Sequence, residues 1–224
     1  MSSGPTKIHR STREKTRIAE IFDRFAAELA EPRTELNYKS PFTLLVAVVL
    51  SAQSTDKQVN LATKKLFAIA ATPREMAALG EEGLIPLISS IGLFRTKAKN
   101  VIALSRLILE RFDGEVPLER ERLESLPGVG RKTASVVLNE LGAETAVAVD
   151  THVFRVAHRL KLSSGKTPSD VEQDLMAVIP RTHLGRAHHW LILHGRYVCL
   201  ARKPRCGACL IADLCPSREL FAEG

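Results

Sequence analysis

All four cysteines of the 224-residue chain fall near its end, at Cys199, Cys206, Cys209 and Cys215, in the pattern C-x6-C-x2-C-x5-C. Thiolates gathered so closely repel one another unless a cationic centre holds them, so the set reads as a metal site and not as inert core thiols. Structural zinc commonly uses two short C-x2-C knuckles, and only one is present here. The uneven spacing favours an iron-sulfur cluster, which accepts longer loops between ligands, with zinc as the second reading. That no cysteine precedes Cys199 argues against a secreted disulfide framework.

A second constellation begins at Leu126-Pro127-Gly128-Val129-Gly130. Two glycines one residue apart, after a proline and before a helix starting near Arg131, make a tight turn between helices. The amides of Gly128 and Gly130 can then point at an anion, and the following helix adds free N–H groups and the positive end of its dipole. A helix-hairpin-helix grips a DNA phosphate in this way without reading sequence; a plain turn with packing glycines is the alternative. Arg131 and Lys132 stand in the first turn of that helix, where the dipole disfavours each cation by ~0.3–1 kcal/mol. Either both hold phosphate, or one is an amine that gives up its proton to act as a nucleophile. An ordinary lysine is neutral in only about one copy in 2,500 at pH 7, so that second role needs help from its surroundings. Asp150 ends the apolar run Ala146–Val149 and opens the next helix. Its position is that of an N-cap, and it also offers Lys132 a carboxylate if the returning chain brings the two to one cleft.

Lysine and arginine number 32 against 25 acidic residues, a net charge of +7 that favours a polyanionic partner. Between Arg181 and Ala212 there are six basic residues and no acidic one. Three of them, Arg202, Lys203 and Arg205, lie between the first two cysteines and read either as phosphate contacts or as a solvated positive face. His183, His188, His189 and His194 share this stretch; with four cysteines at hand they read as packing or phosphate-contacting groups, not as metal ligands. The longest apolar run, Leu44–Leu50, is far short of the ~18 residues that a membrane span needs. The polar stretch from Met1 to Arg10 is followed by no apolar signal region, so a cytosolic protein is expected.

These groups must be positioned by helices. Ser11 with Glu14 forms a capping box, and Ile18, Ile21, Phe22, Phe25, Ala26 and Leu29 follow at helical spacing. Ser40-Pro41 places an N-cap before an N1 proline, so residues 42–52 read as a buried helix, although a buried strand would show a similar run. Thr72-Pro73 with Glu75 and Thr167-Pro168 with Asp170 open two more helices. A long helix is marked by Ala98, Val101, Ile102, Ser105, Ile108 and Phe112, and another by Val153, Val156, Ala157 and Leu160. The only strand-like fragment is Ala146–Val149. The chain therefore reads as all-α, with lobe boundaries near Asn37 and Gly142.

Three segments together, Leu126-Pro-Gly-Val-Gly-Arg-Lys132, Val149-Asp-Thr-His-Val-Phe-Arg155 and the four-cysteine pattern, resemble the endonuclease III family of DNA glycosylases. Leu50-Ser-Ala-Gln-Ser-Thr-Asp56, Ile91-Gly-Leu-Phe94 and Trp190-Leu-Ile-Leu-His-Gly-Arg196 match the same family, so the likeness runs from about Glu35 to Cys215. The resemblance implies two helical lobes with a DNA cleft between them. One is a six-helix barrel with the helix-hairpin-helix, over residues 34–145; the other, residues 1–33 plus 146–224, holds a 4Fe-4S cluster.

The implied activity is bifunctional: excision of oxidised pyrimidines from double-stranded DNA, then nicking of the abasic site by β-elimination. Lys132 would be the nucleophile, Asp150 its catalytic carboxylate, and Cys199, Cys206, Cys209 and Cys215 the cluster ligands. Gln53 would fill the gap left by the flipped nucleotide and Leu93 would wedge into the opposite strand, offsetting an unstacking cost of a few kcal/mol. Without the family, Gln53 reads as surface-polar and Leu93 as core-apolar. Gly128, Val129, Gly130, Arg131, His152, Arg202, Lys203 and Arg205 complete the expected DNA contacts, and the chain is expected to act as a monomer. A mismatch adenine glycosylase shares the turn, the aspartate and the cluster, but lacks the lysine at position 132 and continues beyond the cluster. A non-catalytic helix-hairpin-helix DNA-binding module with a zinc-stabilised tail is the reading from another class.

Overall fold

The computed structural model describes residues 10–221; the N-terminal stretch read above for a signal lies outside them, Arg10 excepted. Ten α-helices follow in order: α1 (Thr12–Glu28), α2 (Pro41–Ser51), α3 (Asp56–Ile69), α4 (Pro73–Ile88), α5 (Phe94–Arg111), α6 (Arg120–Glu124), α7 (Arg131–Glu140), α8 (Thr151–Arg159), α9 (Pro168–Val178) and α10 (Arg181–Tyr197). Three short 3-10 turns close the described chain. Among the described residues no strand occurs, so the all-α expectation is borne out; Ala146–Val149 lies outside regular secondary structure. None of these helices is long and apolar enough to cross a membrane.

The chain divides into two compact units, Thr34–Glu144 and a discontinuous one made of Met1–Arg33 with Thr145–Gly224. The inner unit is built on α2. Its capping box, Ser40 with Thr43, and its N1 proline settle the ambiguous apolar run as a helix. Every residue from Phe42 to Leu50 is buried, as a helix that is apolar all round must be. Helices α3 to α7 surround it and bury Leu66, Met76, Leu84, Ile102 and Leu138 in one cluster. Helix α4 breaks at Gly80, whose backbone is left-handed at φ 67°.

The discontinuous unit packs α1 against α8, α9 and α10. Ile18, Ile21, Phe22 and Phe25 of α1 meet Val153, Val156, Leu175, Trp190 and Leu191 in a second core. The indole N–H of Trp190 donates to the Leu29 carbonyl at 2.8 Å, satisfying the C-terminal end of α1. His188, His189 and His194 are buried in this unit, and the His183 Nε2–H donates to the Asp23 carboxylate at 2.8 Å beside Phe22. Packing is therefore what the structure gives these four histidines.

Candidate functional site

The turn between α6 and α7 is closed by the Val129 N–H donating to the Leu126 carbonyl at 3.0 Å. Gly128 has φ +79°, and a Cβ there would lie 2.9 Å from the Asn100 side chain, so both the backbone and the packing demand glycine. Gly130 differs: its φ is −98° and a Cβ would meet nothing within 4 Å. The open side of the turn is thus at Gly130, the N-cap of α7, which itself contributes no capping side chain. Val129 is buried in the core of its unit, which leaves only its main chain for any outward contact. Arg131 and Lys132 are exposed on the first turn of α7.

Gln53 and Leu93 share a second face of the same unit. Both are non-glycine residues in the left-handed region, at φ 56° and 58°. Leu93 is 60% exposed, which overrules the core-apolar reading. Gly92, beside it, brings the two turns into contact: a Cβ there would lie 3.6 Å from the Gln53 carbonyl. A left-handed backbone at a non-glycine residue is costly to a fold, and here it holds two exposed side chains on adjacent turns.

In the discontinuous unit, Asp150 is the N-cap of α8. Its Oδ1 accepts from the His152 and Val153 N–H groups, both at 2.8 Å, which fixes the carboxylate at the positive end of the helix. The Nδ1 of His152 lies 3.2 Å from an Arg155 guanidinium nitrogen, which makes Nδ1 the acceptor and Nε2 the N–H carrier. Lys132 and Asp150 belong to different units.

All four cysteines line one largely apolar cavity of about 30 Å³, together with Arg159, His194 and Val198. Burial pushes the Cys209 and Cys215 thiols above their usual range, and the neighbouring cysteine charges push the same way. Four thiolates are therefore unfavourable here unless a multivalent cationic group neutralises them. Sulfurs spread around a cavity suit a polynuclear cluster better than one tetrahedral zinc. His194 lies 3.8 Å from the Cys209 sulfur, and burial holds it neutral by lowering its pKa to about 4.

Sequence reasoning missed what holds this loop. Arg159 donates to the Leu200 and Ala201 carbonyls at 2.6 and 3.0 Å and to the Cys199 sulfur at 3.3 Å. Arg155 reaches the Cys199 carbonyl, Arg17 the Leu214 carbonyl, and Arg24 the Leu210 carbonyl and Asp213. Four guanidinium groups from α1 and α8 thus satisfy loop carbonyls that no regular element could pair. Arg202, Lys203 and Arg205 remain exposed on the loop between the first two cysteines.

A family model described as the HhH-GPD superfamily of base excision DNA repair proteins matches residues 46–181. Another, the iron-sulfur binding domain of endonuclease III, matches residues 199–215, from the first cysteine to the last. Endonuclease III of Haemophilus influenzae is 53% identical over 205 residues, covering 92% of this chain and 97% of the relative. The chain is a member of the endonuclease III family. Endonuclease III of Escherichia coli strain K12 is 52% identical with the same coverage. Two solved structures of the family also match. A trapped endonuclease III–DNA covalent intermediate, an estranged-adenine complex, gives a TM-score of 0.85 at 42% identity, covering 92% of this chain and 97% of that one. A non-covalent endonuclease III–DNA complex gives 0.86 at 41% identity, covering 94% and 99%.

Proposed function

We propose that this protein is a bifunctional DNA glycosylase and abasic-site lyase of base excision repair. Its partner is duplex DNA, its cofactor a 4Fe-4S cluster, and its substrates oxidised pyrimidines. It is read as a monomer, working in the bacterial cytosol at the nucleoid. The observation that carries this reading is Lys132 on the first turn of α7, directly after the open glycine turn, in a chain whose family includes a covalent enzyme–DNA intermediate.

In the proposed reaction the Lys132 amine, after losing a proton to the Asp150 carboxylate, attacks C1′ of the extruded nucleotide. The Nζ–C1′ bond forms as the bond from C1′ to the base breaks, and the base leaves with a proton. Opening of the sugar ring gives an iminium ion, whose electron demand acidifies the C2′ hydrogens; loss of one expels the 3′ phosphate. Backbone N–H groups at Gly128 to Arg131 hold a phosphate of the lesion strand, and Gln53 and Leu93 occupy the space that the nucleotide vacates. Cys199, Cys206, Cys209 and Cys215 hold the cluster, which when bound supplies four iron–thiolate bonds that cross-link the basic loop carrying Arg202, Lys203 and Arg205.

Borohydride reduction of the imine tests the central step. The wild-type chain is expected to become covalently trapped on a duplex containing thymine glycol, and Lys132→Gln is expected to lose all trapping. Trapping of Lys132→Gln at wild-type yield would refute the assignment. A zinc-stabilised binding module would bind the duplex, trap nothing and show no visible iron-sulfur absorption.

A further inference from the structure

Lys97 lies on α5 among core residues and is only 5% exposed. Its ammonium donates to the Leu50 carbonyl at 2.9 Å, the Ala52 carbonyl at 2.6 Å and the Ser54 hydroxyl at 3.0 Å. No carboxylate is among these three acceptors, and burial pushes the amine below its usual range. A lysine is not spent in a core without cause.

The three acceptors explain the cause. Helix α2 ends at Ser51 with no basic residue in its last turn, so its final carbonyls, at the negative end of the dipole, need a donor from elsewhere. Lys97 supplies it from a point 45 to 47 residues along the chain. The bonds fall on Ala52 and Ser54, the two neighbours of Gln53, and a Ser54 N–H bond to the Ser51 carbonyl at 3.0 Å tightens the same turn. Lys97 also touches the other turn: its backbone N–H donates to the Leu93 carbonyl at 3.0 Å.

We infer that Lys97 is a positioning residue which locks the Gln53 and Leu93 turns into one rigid device for entering the DNA stack. The inference rests on the proposed reading of those two side chains. Both turns sit in left-handed conformations that an unrestrained chain leaves readily. The ammonium ties the Gln53 turn to α5, whose N-cap is Leu93 and whose first backbone bond runs from the Lys97 N–H to the Leu93 carbonyl, so both turns share one support. Removing the ammonium leaves α2 uncapped and frees the Gln53 turn, while the lysine at position 132 and the glycine turn stay where they are.

The test uses the full-length, cluster-loaded protein and a duplex with 2-aminopurine opposite a tetrahydrofuran abasic analogue, whose fluorescence rises when the probe base is unstacked. Lys97→Met is expected to cut that rise at least threefold at saturating protein, and to lower kcat/KM on a paired thymine glycol about tenfold. In a Gln53→Ala, Leu93→Ala background the same substitution is expected to change kcat/KM by less than twofold, because there is nothing left to position. An equal loss in both backgrounds, or an undiminished fluorescence rise, overturns the inference in favour of a merely structural lysine. Should Lys97→Met not fold, Ser54→Ala, which removes one acceptor, is expected to lower the rise about twofold; an unchanged rise overturns the inference. If the wild-type chain itself unstacks nothing, the reading of Gln53 and Leu93 fails and takes this one with it. If the wild type does so and Lys97→Met does so equally, only Lys97 loses its role.

Discussion

Asp150 caps α8, and two substitutions separate that bond from the chemical role proposed for it. Asparagine caps a helix as well as aspartate does, so Asp150→Asn should keep α8 and the melting temperature while turnover on thymine glycol falls by orders of magnitude. Asp150→Ala should lose the same activity and also about 1 kcal/mol of stability, because the His152 and Val153 N–H groups lose their acceptor. The two glycines of the turn differ in a parallel way. Gly128→Ala forces a Cβ into both a left-handed backbone and the Asn100 side chain, and should cost at least ~1–2 kcal/mol in thermal or denaturant unfolding. Gly130→Ala meets no neighbour and should cost only the ~1 kcal/mol or less by which alanine is the poorer N-cap, yet weaken binding to an abasic-site duplex by covering the N–H groups proposed to hold phosphate. The opposite pattern, a stable Gly128→Ala and a full-affinity Gly130→Ala, would remove the turn from the DNA contacts.

Helix beginnings were the most legible part of the chain, because a capping box is a bond between residues three apart. Ser11 with Glu14, Thr72 with Glu75 and Thr167 with Asp170 all form as their spacing predicts. At α4 the Glu75 carboxylate accepts from the Ala71 and Thr72 N–H groups and the Thr72 hydroxyl, each at 3.0 Å. Those bonds hold its pKa below the ordinary 4.5, the Ala71 N–H foremost. Protonation therefore opposes folding: the stabilisation is complete above about pH 4.5 and is lost as pH falls through the folded value. Glu75→Gln should flatten that part of the acid limb in a denaturation series run from pH 6 to pH 3, and an unchanged limb would remove Glu75 from the balance. What the sequence hid depends on distant partners. The Gly80 break, the left-handed backbone at Gln53 and Leu93, and the arginines that clamp the cysteine loop leave no local signature. Lys97 left a faint one: with Val101, Leu104 and Ile108 it follows a core line at spacings of four, three and four, where a charge is out of place.

The net charge of +7 acts through salt. Each phosphate neutralised by a cation adds about −0.9 to the slope of log affinity against log salt, so replacing Arg202, Lys203 and Arg205 together by alanine should make that slope shallower by up to ~2.7. A slope that does not change would assign the three to a solvated face. The cysteine pattern and the glycine turn were readable in the sequence because each lies within one short segment. The lobe boundaries near Asn37 and Gly142 were legible only from clustered turn residues, since the composition does not shift where the chain passes from one unit to the other. That division carries a consequence for biosynthesis. Leu29 and Trp190 are bonded partners 161 residues apart, and among the described residues the apolar stripe of α1 packs with helices that follow Thr145. A ribosome adding ~5–20 residues per second needs about 8–30 s to bridge that distance. Throughout this interval Ile18, Ile21, Phe22 and Phe25 wait without a partner, while Thr34–Glu144 emerges whole and free to collapse. Helix α1 is thus translated well before its partners and is among the last to be settled, and it is the segment a nascent-chain chaperone would meet.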